Sequence, residues 1–113
     1  MTFIIQTPDG QHLGSILMSE SAADPLSGHC VFVAVPKDPL LVAKPAYKRL
    51  VMHREMGEHQ FQRTPCGDSI RISCNNSLYF VIQLDGEGKS GTMISGPGQE
   101  SIQYSVARVP KKA

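Results

Sequence analysis

Tryptophan is absent from this chain, and three tyrosines and four phenylalanines make aromatics only 6% of it. A stacking platform for single-stranded nucleic acid needs more flat rings than that. Excess charge of one sign is also missing: the formal net charge is +1 with histidines neutral, so nothing draws the chain to nucleic acid or to an anionic membrane. The one basic run, Arg108, Lys111 and Lys112, reads as a solvated end. No apolar stretch approaches the ~20 residues that span a bilayer. The opening Met1-Thr2-Phe3-Ile4-Ile5-Gln6 has no cationic segment followed by a signal-type apolar core. Cysteine is scarce and odd in number: Cys30, Cys66 and Cys74. That is a poor disulfide framework and fits a reducing, cytoplasmic compartment.

Catalytic signatures are missing as well. There is no Gly-x-Ser-x-Gly elbow and no tight Cys-x-x-Cys or His-x-His pair for a metal. His53 and His59 stand six apart with Glu55, Gly57 and Glu58 between them. A glycine there would break a helix carrying the pair, so solvated turn residues are expected. Gly86-Glu-Gly-Lys-Ser-Gly91 resembles the end of a phosphate loop. It lacks the first glycine and a following helix, and it reads as a hairpin linker. The expectation is a non-enzymatic protein with no metal and no cofactor.

The 113 residues suit one domain, 1–113, with an ordinary hydrophobic fraction of 41%. Turn signals arrive about every ten residues with short β-type runs between them, which predicts an all-β fold. Thr7-Pro8-Asp9-Gly10 is a turn with a mechanism: proline presets φ, aspartate bonds its own backbone and glycine accepts positive φ. Gly14 within 12–18 suggests a bulge or a close backbone approach. Cys30 to Val35 is a continuous apolar run, read as a strand covered on both faces. Pro36 to Pro45 carries three prolines around Leu40-Leu41-Val42, an apolar tip that is either a core flap or a surface for a partner. Residues 46–56 suit a helix between Pro45 and Gly57, or a strand with Tyr47, Val51 and His53 on one face; the β context favours strand. Asn75-Asn76 is a two-residue hairpin loop, with Ile72 expected opposite Tyr79 and Ile70 opposite Val81. Buried positions are predicted at Val33, Ile70, Ile72, Val81 and Tyr104, with Cys30 and Cys74 buried and Cys66 exposed.

A glycine-ended turn followed by apolar–x–apolar recurs at Gly28, Gly67 and Gly98, and Thr7-Pro8 is echoed by Thr64-Pro65. The stretch Phe61-Gln-Arg-Thr-Pro-Cys-Gly-Asp-Ser-Ile-Arg-Ile-Ser with Ser77-Leu-Tyr-Phe-Val-Ile, and Phe3-Ile-Ile-Gln with His12-Leu-Gly-Ser-Ile-Leu, resemble the strand pairs of β-trefoil repeats. Among trefoils they are most similar to the mycocypins, small fungal inhibitors of cysteine proteases. The resemblance implies a small antiparallel barrel, β-trefoil-like; a β-sandwich is the alternative. It also implies inhibition by exposed loops. The stretches matching the loops that enter papain-like proteases are Pro8, Asp9 and Gly10, and the segment with Leu40 and Leu41. Asn75 and Asn76 match the loop that offers asparagine to legumain.

The expected function is therefore a loop-presenting binding protein with a protein partner, in its specific form a cysteine or asparaginyl protease inhibitor. The alternative is a small structural or inhibitory interaction protein of viral or mobile-element origin, acting as an oligomer through a strand edge or apolar loop. A metal- or thiol-dependent enzyme ranks third.

Overall fold

The computed structural model describes residues 2–34, 44–66, 68–95 and 102–109. Among them are eight strands and one helix: β1 (Thr2–Gln6), β2 (His12–Glu20), β3 (Ser27–Ala34), α1 (Pro45–Met56), β4 (His59–Arg63), β5 (Ser69–Cys74), β6 (Ser77–Leu84), β7 (Ser90–Ser95) and β8 (Gln103–Arg108). Each strand pairs antiparallel with the next, and β8 returns to β1 through Phe3↔Arg108 to Gln6↔Ser105, closing a barrel. Closure leaves the first and last strands without a free edge.

Period-two patterning builds the wall. Phe3 and Ile5 point in from β1, Ile70 and Ile72 from β5, Phe80 and Ile82 from β6, and Tyr104 and Val106 from β8. With Leu13, Ile16, Phe32, Phe61 and Met93 they fill the interior. Each such side chain stabilises the fold by about 1.5–3 kcal/mol relative to leaving it in water. Gly28 has a steric role: a Cβ there would stand 2.1 Å from the Ser19 carbonyl oxygen, so only glycine lets β2 and β3 approach at that point.

Several expectations are corrected by register. A β-bulge in β6 sets Ser73 opposite Leu78 but Ile72 opposite Phe80, and Ile70 opposite Ile82. The extra residue is Tyr79. A one-residue slip exchanges the two faces of a strand, so Phe80 and Ile82 enter the core and Val81 is only half-buried. A second bulge puts Ile5 opposite Gly14 and Gln6 opposite His12, so the irregularity expected near Gly14 is present. β3 is not covered on both faces: Cys30 and Phe32 are buried, while Val31 and Val33 are 37% and 42% exposed. An apolar run can mark a one-sided strand when its outer residues are small and β-branched.

Residues 46–56 are helix, not strand. Pro45 takes the first turn, where its missing N–H costs nothing, and Gly57 ends α1 at φ 90° with its N–H donating to the Arg54 carbonyl. Tyr47, Leu50 and His53 form its narrow buried stripe. Arg54 in the last turn suits the negative end of the helix dipole.

The helix fills a gap in the wall. β2 pairs with β3 as far as Gly14↔Ala34, whereas the β3–β4 ladder stops at Cys30↔His59. Above that point β3 packs against α1. At its other end α1 is held by Tyr104 Oη donating to the Ala46 carbonyl (2.9 Å) and by Lys44 Nζ donating to Gln11 Oε1 (2.8 Å).

Candidate functional site: the helix-covered end of the barrel

Strands of a sequential antiparallel barrel alternate in direction, so its connections divide between two ends. The β1–β2 turn, the β5–β6 hairpin and α1 fall at one end. The β2–β3, β4–β5 and β6–β7 connections fall at the other. Pro8, Asp9 and Gly10 therefore share an end with Asn75 and Asn76, four strands apart around the wall. Leu40 and Leu41 lie outside the described residues.

The first turn is fixed by its own chemistry. Gly10 N–H donates to the Thr7 carbonyl (2.9 Å), Thr7 N–H to the Gln11 carbonyl (2.8 Å) and Gln11 N–H to Thr7 Oγ1 (2.9 Å). The Thr7 hydroxyl donates to Asp9 Oδ1, and this contact, foremost, holds the Asp9 carboxyl below its usual range. Gly10 sits at φ 97°, a conformation that side chains disfavour. Pro8, Asp9 and Gly10 are all exposed. The hairpin is equally defined: Asn75 and Asn76 have φ 52° and 68°, the paired left-handed residues of a type I′ turn. Both are exposed.

Between the two turns, where α1 meets β4, His53 and His59 form a buried imidazole pair. His53 and His59 are both 0% exposed, not solvated turn residues. His53 Nδ1 lies 3.0 Å from His59 Nε2, and His59 Nδ1 lies 3.0 Å from the Gly57 carbonyl. A carbonyl only accepts, so His59 carries its proton on Nδ1 and accepts at Nε2 from His53 Nδ1–H. His53 Nε2 is then an unprotonated acceptor, buried and without a hydrogen-bond partner among the described residues. The rings of Phe32, Tyr79 and Phe80 surround His53 at centroid distances of 5.6, 4.8 and 4.7 Å. Burial, then His59, then Arg49 push the His53 pKa down to about 4. Burial also lowers that of His59, against the opposing pull of the Gly57 carbonyl. The signal was available: Tyr47, Leu50 and His53 recur at helical spacing, and His59 alternates with Phe61 on β4.

The remaining candidates resolve as follows. Cys30, Cys66 and Cys74 are free thiols, the first and last buried and Cys66 exposed. Burial, with a smaller contribution from Glu58, pushes the Cys30 thiol up to about 12, which makes it a poor nucleophile at neutral pH. The Cys66 thiol donates to Asp68 Oδ1 (2.9 Å) at the opposite barrel end. Among the described residues no three histidine, cysteine or acidic side chains converge as metal ligands. In the β6–β7 hairpin, Asp85 Oδ1 accepts from the N–H groups of Glu87 and Lys89, both at 3.1 Å. The amides a phosphate would use there are occupied by the chain's own carboxylate.

Among the described residues, two concavities lie beside β3. One of about 340 Å³ runs across β3–β5 beside His29 and Gln60. Another, of about 290 Å³, is lined by Leu17, His29, Val31 and Glu58. Compared with known protein families, with characterised proteins and with solved structures, the chain matches none.

Proposed function

We propose that this is a non-enzymatic, loop-presenting binding protein, acting in the cytoplasm on a protein partner, with cysteine or asparaginyl proteases as the partner class. One observation carries the reading. Two exposed turns, each fixed by its own backbone geometry, stand at the same end of a closed barrel whose interior is filled with side chains. A filled interior leaves recognition to the outside. Turns already ordered lose little conformational freedom on binding. The β-trefoil-like character of the hairpins belongs to the same proposal, since that resemblance suggested a barrel frame with inhibitory loops. In this reading Asn75 or Asn76 enters a pocket selective for asparagine, and Pro8 to Gly10 forms a second contact.

The test is inhibition of a papain-like and an asparaginyl protease by the full chain, alongside the double variant N75D/N76G. Aspartate–glycine keeps a type I′ turn while removing asparagine from the tip. Loss of asparaginyl-protease inhibition with an unchanged melting temperature supports the reading. No inhibition of either protease at micromolar concentration removes it.

A second reading, the oligomeric interaction protein of viral or mobile-element type, is favoured by a separate observation. Leu17 stands directly opposite Val31 on the outer face of β2–β3, beside Val33, and all three are more than a third exposed. Contiguous exposed apolar side chains are a feature of association surfaces. A solution mass that rises with concentration, and returns to the monomer in Leu17→Lys, would select this reading.

A further inference from the structure

We infer that the His53–His59 pair is an acid-sensitive latch that holds α1 on the barrel end at neutral pH and releases it on acidification. The geometry is one-sided. In the neutral state the pair forms a directional chain, His53 Nδ1–H to His59 Nε2 and His59 Nδ1–H to the Gly57 carbonyl. A proton added at His53 Nε2 creates a buried cation whose new N–H has no hydrogen-bond partner among the described residues, with the rings of Phe32, Tyr79 and Phe80 packed around it. A proton added at His59 Nε2 shifts the His53 proton from Nδ1 to Nε2, so the same buried cation and the same unpartnered Nε2–H result. In both cases the charge is relieved by letting His53 out to water, which requires α1 to lift.

Among the described residues, none facing the pair adds a compensating anion. Arg49 on α1 carries the same sign as the incoming proton. Beside the pair stand Cys30 on β3, Cys74 on β5 and Tyr79 on β6, and Tyr104 on β8 lies near Arg49. Burial pushes the Cys30 thiol and the Tyr104 phenol up, so neither supplies negative charge at acid pH. Cys74 donates to the Glu58 carbonyl, and the Glu58 carboxylate lies 3.1 Å from His29 Nδ1 on the surface. Helix release would reach the binding end directly, since α1 is bonded to the β1–β2 turn through Lys44 and Gln11 and to β8 through Ala46 and Tyr104. The latch does not depend on which partner those turns take.

Hydrogen exchange on the full chain, resolved by residue and corrected for intrinsic pH dependence, tests this at about pH 7.5 and about pH 5. With His53 titrating at 6.5 when undocked and about 4 when docked, protection of α1 should fall roughly thirtyfold relative to β6 and β7. His53→Asn keeps a donor near the Nδ1 position and does not titrate; its helix protection should vary far less with pH. Should that variant not fold, His53→Phe, which restores ring volume, takes its place. Helix protection that stays constant relative to the barrel in the natural chain overturns the inference. So does a folded His53 variant that loses helix protection at acid pH as the parent does.

Discussion

At the scale of single residues, burial in the barrel sorts apolar side chains that look alike in the sequence. Ile72 and Val33 both sit in short β-type apolar segments, yet Ile72 is fully buried and Val33 is 42% exposed. Ile72→Ala should cost about 2–5 kcal/mol, by lost transfer energy and the cavity left behind. Val33→Ala should change stability by no more than ~0.5 kcal/mol; equilibrium urea unfolding of the two variants checks the contrast. Thiol chemistry sorts the same way. Under native conditions a neutral aromatic disulfide reagent should modify Cys66 well before Cys30 and Cys74. Equal rates would contradict the burial of the latter two.

At the scale of elements, legibility followed the strength of local chemistry. The hairpin at Asn75-Asn76 was readable because two left-handed residues between β-type runs have few other structures to form. The β5–β6 register was not, since the bulge at Tyr79 has no local marker: it is set by which face of β6 must meet the core. α1 was missed for a related reason. Tyr47, Leu50 and His53 recur at helical spacing, but Tyr47, Val51 and His53 suit a strand face equally, the other residues give only a weak amphipathic pattern, and the choice is made by the gap the helix fills between β3 and β4. Tertiary context decided what propensity left open. Two of the contacts that fix α1 are open to single substitutions. Tyr104→Phe removes the bond to the Ala46 carbonyl and should cost about 1 kcal/mol. Gly57→Ala, at φ 90°, should cost about 1 kcal/mol through backbone strain. Both losses should appear in helix-specific hydrogen exchange as well as in global unfolding.

For the whole molecule, closure of the barrel and the buried histidine pair set the response to pH. The folded His53 pKa lies near 4 against 6.5 ordinarily, so between those values the unfolded chain binds more protons than the folded one. Stability is then fully present above about pH 6.5 and is lost as pH falls toward about 4, by roughly 3 kcal/mol from this residue. His53→Asn should flatten that part of the profile in urea unfolding across the range. The all-β class was legible because turn chemistry repeats along the chain; the helix-covered end was not, because it forms only when strands distant in sequence close into a ring. That end carries the proposed function, and Asn75 and Asn76 are its most specific feature. The most direct measurement is a titration of an asparaginyl protease with the full chain and with N75D/N76G, with melting temperatures recorded in parallel. The expected result is saturating, stoichiometric inhibition by the parent, lost in the variant at equal melting temperature. Inhibition by the variant equal to the parent's, or none by either protein at micromolar concentration, would contradict it.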